Sequence, residues 1–202
     1  MRFILLILLC VTPALYAVAE VEDRWDFSVS LNGREVGSHN FVVREEGGRR
    51  FVTSTMRLDF RVFLVKRVIY QHQANEVWQD GCLIEVISQT ERDGKMYNVE
   101  ANVVDAGLAV ISNDGAEMYS GCVRSFAYWE PKWLQGQNLL NVENGKNVPV
   151  TISQSVSSDV NKKLITIAAP KGDIYLQYDA QGDWLSLKTK LPIAGELSYQ
   201  RN

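Results

Sequence analysis

An all-β fold is what this 202-residue sequence predicts. Apolar residues alternate with polar ones at period two, turn signals recur at short and fairly even intervals, and helical periodicity is nearly absent. Trp25, Phe27, Val29 and Leu31 share one face of a first strand, which Asn32-Gly33 turns back. Phe41 and Val43 continue on the next strand, and Glu45 to Arg49, with Gly47-Gly48, forms a hairpin loop. Val52, Met56, Leu58, Phe60 and Val62 then alternate with Thr53, Arg57, Asp59 and Arg61, the mark of a long strand with one wet face. Similar segments run over Lys66–Gln79, Cys82–Arg92 and Lys95–Val104, divided by Gln79-Asp80-Gly81 and Asp93-Gly94. Further turns follow at Asp105-Ala106-Gly107, Asn113-Asp114-Gly115, Asn144-Gly145, Lys171-Gly172 and Gln181-Gly182. The runs between them amount to about eleven strands. So many consecutive strands exclude a parallel α/β fold. The expected architecture is one antiparallel sheet curled into a half-barrel or open barrel. A single interruption spans Cys122 to Leu140, where Phe126-Ala127-Tyr128-Trp129-Glu130-Pro131-Lys132-Trp133-Leu134 loses the alternation. Pro131 fits the first turn of a short helical segment with Glu130 just before it. Such an element protects the edges or covers one end of a curved sheet.

The N-terminus reads as a secretory signal peptide: Met1-Arg2, an apolar run from Phe3 to Val11, Pro13, and Ala17-Val18-Ala19 before Glu20. The run is about half the roughly twenty residues of a spanning helix, which favours cleavage after Ala19 over an uncleaved anchor. Bulky Leu9 before Cys10 argues against lipid attachment there. Residues 20–202 are then expected to form one domain, since they contain no linker, low-complexity tract or repeat. A chain of that size buries about 70% of its unfolded surface. Loss of Arg2, the one charge in residues 1–19, takes the formal charge from −3 to −4, so no nucleic-acid or anionic-lipid partner is indicated. The expected location is the periplasm or outside the cell, with no transmembrane segment after cleavage.

Cys82 and Cys122 remain, an even pair in a compartment where disulfides persist. A bridge between them closes a loop worth roughly 4 kcal/mol on the chain-entropy account. A redox pair would want C-x-x-C spacing. A zinc site needs more ligands than two cysteines and the distant His39 and His72 supply, so neither metal nor cofactor is expected.

Chemistry concentrates in Tyr70-Gln71-His72-Gln73-Ala74-Asn75-Glu76-Val77-Trp78. Strand parity places Val68, Tyr70, His72, Ala74, Glu76 and Trp78 on one face. His72 and Glu76 then sit about 13 Å apart, too far to touch. A carboxyl in apolar surroundings has a raised pKa and is suited to general acid work. The structural alternatives are satisfaction by neighbouring strands, with Arg57 or Arg61 as partners, or a solvated face with Ile69 and Val77 directed inward. His39 would join a site only by converging from another strand. No G-x-S-x-G elbow, P-loop, paired-histidine zinc helix or dinucleotide fingerprint is present, and Ser125 has no local base. The aromatics Tyr70, Trp78, Phe126, Tyr128, Trp129 and Trp133 either fill the core or line an apolar pocket.

Trp25-x-Phe27-x-Val29-x-Leu31-x-Gly33-Arg34-x-x-Gly37, Tyr70-x-His72-x-x-x-Glu76-x-Trp78-x-x-Gly81-Cys82-Leu83, Cys122 with Phe126-Ala127-Tyr128-Trp129-x-Pro131, and Leu139-Leu140-Asn141 near Gly145 are spaced over nearly the whole chain. In these clusters the sequence resembles an uncharacterised family of exported bacterial proteins. The resemblance implies a periplasmic setting and a curved antiparallel sheet, with no established activity and no catalytic residues. The pattern also looks like the half-barrel carriers of the envelope that hold acyl chains against a concave sheet, an analogy of fold alone.

Three function classes follow. The leading expectation is a periplasmic binding or carrier protein for an apolar or amphipathic ligand such as a lipid, held between the sheet and Phe126 to Leu134. The second is an envelope interaction or scaffolding module that uses a sheet edge. The third is a hydrolase or isomerase built on His72 and Glu76. A carrier wants an enclosed apolar cavity, a scaffold a filled core with a bare edge, and an enzyme the convergence of His72, Glu76 and His39.

Overall fold

A computed structural model describes residues 21–62, 66–156 and 162–202. The leader expected at residues 1–19 lies outside the described residues. The strands are β1 (Val21–Leu31), β2 (Arg34–Glu46), β3 (Arg49–Val62), β4 (Lys66–Gln79), β5 (Cys82–Arg92), β6 (Lys95–Val104), β7 (Gly107–Ser112) and β8 (Gly115–Tyr119). After a 3₁₀ turn at Pro131–Trp133 come β9 (Asn138–Asn141), β10 (Lys146–Pro149), β11 (Thr151–Val156), β12 (Lys162–Ala168), β13 (Ile174–Asp179), β14 (Trp184–Leu191) and β15 (Gly195–Arg201). The estimate of about eleven strands therefore falls short. Strands of four residues, such as β9 and β10, are too short to display an alternation.

Thirteen strands form one antiparallel sheet in the order β11-β12-β13-β14-β15-β1-β2-β3-β4-β5-β6-β7-β8, and β9 pairs with β10 separately. Local hairpins build nearly all of it. Asn32, Asp80 and Asp93, each followed by glycine, adopt φ of 51°, 53° and 52°, the left-handed geometry that matches strand twist in tight hairpins. The exception is the seam between β1 and β15, where Phe27 lies opposite Arg201 and Leu31 opposite Leu197. At Gly37 (φ 154°) a Cβ would come within 1.9 Å of the Arg57 carbonyl oxygen, so only glycine lets β2 lie this close to β3. The sheet does not close: β8 and β11 are its edges. This is the all-β open barrel that the alternation predicts.

The inward positions make the core, among them Phe27, Val29, Trp78, Leu83, Val86, Val99, Leu108, Ile165, Leu176, Tyr178 and Trp184, all nearly inaccessible. Each such side chain contributes roughly 1.5–3 kcal/mol by leaving water. The chain from β8 to β11 supplies the rest, burying Val123, Ala127, Trp129, Leu134, Leu139 and Leu140 in the same cluster. Its backbone is tied to the barrel where Leu83 N donates to Val123 O (2.9 Å), and the Tyr178 hydroxyl donates to Tyr128 O (2.8 Å). Within it, Leu140 N donates to Arg124 O (2.7 Å). Glu130 caps the 3₁₀ turn by accepting from Lys132 N, and Pro131 begins it, as the sequence suggests.

Cys82 and Cys122 are bridged, with their Cα atoms 5.1 Å apart. The bond fastens the start of β5 to the start of the plugging segment. Replacing both cysteines by serine should lower stability by roughly 2–4 kcal/mol. Urea unfolding of the double variant checks this, and an unchanged midpoint would mean that packing alone holds the segment.

Candidate functional site

Three side-chain groups carry the polar chemistry. The first lies on one inward row of β2, β3, β4 and β5, where His39, Met56, His72 and Thr90 stand opposite one another in register. The His39 ring shares hydrogen bonds with Ser54 Oγ through Nε2 (2.8 Å) and with the Tyr199 hydroxyl through Nδ1 (3.2 Å). His72 Nδ1 shares one with Thr90 Oγ1 (2.7 Å). Burial, with a smaller contribution from His72, pulls the His39 pKa down to about 3. Burial alone pulls His72 down to about 4. Both rings are therefore neutral at pH 7.

The second group surrounds Glu76 on β4. Its Oε2 accepts from Trp78 Nε1 (2.9 Å) and from Ser125 Oγ (2.9 Å), the latter on the plugging segment. Burial raises the Glu76 pKa, and the two hydrogen bonds oppose that shift. A raised carboxyl pKa means stability that is present at low pH and lost as pH rises through the folded value. Glu76→Gln should therefore cost no more than about 1 kcal/mol at pH 5 and remove this group's loss of stability with rising pH. Denaturation midpoints between pH 5 and 9 test this. A parallel pH dependence in wild type and variant would refute it.

His72, Glu76 and His39 do not converge. Each is buried with partners of its own; the two histidines share one inward row, and Glu76 lies four residues further along β4. Satisfaction by neighbours, the first structural alternative, holds: His72 bonds to Thr90 on the adjacent β5, and Glu76 to Trp78 and Ser125. Neither Arg57 nor Arg61 satisfies them, because those side chains leave the opposite face of β3, and Ile69 is 38% exposed rather than inward. Thr90, Ser125, Ser54 and Tyr199 are the partners that sequence reading missed; strand parity could have put Ser54, Thr90 and Tyr199 on the inner face, whereas Ser125 lies outside the strands.

The third group is aromatic. Trp78 stacks on Trp133 (centroids 5.0 Å), Trp129 meets Trp133 edge-on (5.2 Å), and Trp78 meets Trp129 edge-on (5.9 Å). Arg50 lies over Trp133 at 4.9 Å and is held by Glu130 (2.7 Å). These rings pack on one another and close one end of the barrel. Phe126 contacts Tyr128 (6.0 Å), and Tyr128 contacts Trp184 (5.4 Å). Tyr70 lies toward the opposite end, its hydroxyl near Glu143.

A fourth arrangement has no counterpart in the motif reading. β8 pairs with β7 on one side only. The C-terminal end of β8 borders a cleft of about 400 Å³, bounded by Met118, Tyr119, Arg124, Gln137, Asn138 and Asn147 among others. That volume lies within the range of ligand sites. The Tyr119 hydroxyl fixes the far wall, donating to Gly145 O (3.0 Å) and accepting from Asn147 N (3.3 Å). Two polar atoms on that wall, Arg124 Nε and Asn147 Oδ1, are buried without a hydrogen-bond partner among the described residues. Beside the cleft, the outer face of β7 and β8 exposes Ile111 and Met118 by 62% and 50%.

A family model described as a domain of unknown function (DUF6134) matches residues 27–202. No curated protein matches the chain. Among solved structures, the beta-barrel-like protein of domain of unknown function DUF1849 from Brucella abortus superposes with a TM-score of 0.60 at 11% identity, covering 89% of this chain and 94% of that one. At that identity the likeness concerns the fold alone.

Proposed function

The chain belongs to the family described as a domain of unknown function (DUF6134), a membership that assigns no activity, and we propose that it works as an exported interaction module that holds a segment of a partner protein beside β8. The observation that carries this reading is the cleft itself: an unpaired strand edge faces a wall bearing unsatisfied polar atoms. An exposed edge offers a row of backbone donors and acceptors, and an added strand completes it. The exposed Ile111 on β7 and Met118 on β8 supply apolar surface next to that edge. Export agrees with the leader-like N-terminus and with the Cys82–Cys122 bridge.

The test is photo-crosslinking in cells, with the reactive residue placed at Met118 or Gln137 and, as control, at Arg34. A single protein adduct at the first two positions, and binding of that purified protein lost on Met118→Pro, is the expected result. Adducts no more frequent than at Arg34 would end the proposal.

A second reading, an apolar guest inside the barrel, has one observation in its favour. Leu31, His39, Met56, Leu58, His72, Leu197 and Tyr199, all toward the end away from the tryptophan plug, keep 7–9% of their surface, whereas Trp78, Leu83 and Val86 keep 0–1%. Solvent extraction and mass spectrometry of natively purified protein decide it: a stoichiometric lipid establishes the guest, and an empty protein leaves the β8 cleft as the working site.

A further inference from the structure

We infer that the cleft beside β8 recognises a carboxylate carried on an extended peptide, with Arg124 as the residue that binds it. The inference rests on the interaction reading above and names the chemistry of the partner. Arg124 lies on the plugging segment just after the disulfide, and its backbone is locked by the bond from Leu140 N to its carbonyl oxygen (2.7 Å). The side chain is only partly exposed and its Nε is buried, yet that atom bonds to nothing among the described residues, and no carboxylate there pairs with it. A buried guanidinium N–H without a partner is costly, because that one donor has left water with no replacement bond. A planar fork of donors is matched by one ligand group above others, a carboxylate that accepts two parallel hydrogen bonds.

Asn147 adds an independent constraint. Its Oδ1 is also buried and unpartnered, so the same wall lacks a donor as well as an acceptor. A bare anion supplies only acceptors and leaves Asn147 unsatisfied. A peptide supplies both, its backbone N–H groups for Asn147 Oδ1 and its carboxylate for Arg124. The opposite wall is formed by Met118 and Tyr119, the last residues of β8, and by Ser120 just after it, and the unpaired side of that strand end takes an extended backbone. The carboxylate comes either from the C-terminus of a partner or from an Asp or Glu side chain, and the choice of peptide separates these sources.

The experiment follows amide resonances and the Arg124 Nε resonance of the full-length protein during titration with acetyl-Thr-Val-Thr-Val carrying a free C-terminal carboxylate. The comparison ligands are its C-terminal amide, acetyl-Thr-Val-Asp-Val amide and sodium acetate. Expected are shifts at Met118–Ser120, Arg124 and Asn147 with the free acid or with the internal aspartate, and binding about tenfold weaker for the amide, for acetate and for Arg124→Gln. Whichever acid binds more tightly identifies the source. Arg124→Lys should fall between, since it keeps the charge and loses the fork. Because Arg124 Nε has no internal partner, the melting temperature of Arg124→Gln should be no lower than that of wild type, and this is measured alongside.

Equal binding of acid and amide at the same resonances overturns the carboxylate inference and leaves the edge reading intact. Acetate as strong as the peptide overturns the peptide part. No shift along Met118–Ser120 at about 1 mM peptide overturns both.

Discussion

Lowering the pH from 7 to about 4.5 will cost this protein on the order of 5 kcal/mol of stability, most of it through two histidines. His39 and His72 are buried and neutral in the fold, with pKa values near 3 and 4. In the unfolded chain both protonate below about 6.5. Between those values the unfolded state binds more protons, so stability falls as pH falls. The loss begins near 6.5 and flattens once the folded values are reached. Glu76 works in the opposite direction over part of this window, because its raised folded pKa gains protons before the unfolded carboxyl does. The expected loss is comparable with the whole stability of a typical domain, so an acid-expanded state should appear near pH 4. Urea midpoints at half-unit intervals of pH check the slope, and His72→Gln should remove about half of it. A slope halved between pH 6.5 and 5 would show that one ring protonates in the fold as it does in the unfolded chain, and a flat profile that both do.

The legible part of this molecule is the part built from local chemistry. The limits of β4, β5 and β6 coincide with the runs bounded by Asp80-Gly81 and Asp93-Gly94, because an Asx-Gly pair with positive φ ends one strand and begins the next within two residues. The burial of Glu76 and His72 on one face likewise follows from parity along a single strand. What joins distant segments is not written locally. Nothing in Phe27 or Arg201 announces that they face each other across the β1–β15 seam. Ser125 reaches Glu76 only because the plugging segment crosses the barrel, and the segment's own periodicity is broken by Pro131 and by two short strands. The β8 cleft was invisible for the same reason. Arg124 is an ordinary arginine in the sequence, and its missing partner is a property of the path taken by the segment around it.

Trp184→Ala will destabilise the fold by roughly 3–5 kcal/mol, the range for removing a fully buried indole that the surroundings cannot collapse onto. Trp184 is completely inaccessible and its Nε1 donates to Ser186 O at 2.9 Å. Its ring belongs to β14 but meets Phe27 of β1 (4.2 Å), Phe41 of β2 (5.3 Å), Tyr128 of the plugging segment (5.4 Å) and Tyr199 of β15 (6.1 Å). These contacts span the seam where the first and last strands of the barrel pair, a seam formed without a hairpin to hold it in register. Losing the ring removes apolar area, and it also removes a side chain that touches both halves of the sheet and the plug. The cavity should therefore stay open, which places the cost toward the upper end of the range. Trp184→Phe keeps most of the contacts and should lose about half as much. Denaturant unfolding gives the free energies, and hydrogen exchange of β1 and β15 amides gives the location. If Trp184→Ala raises exchange no more along the seam than in β5 and β6, the ring is ordinary core and the seam is held by its backbone ladder alone.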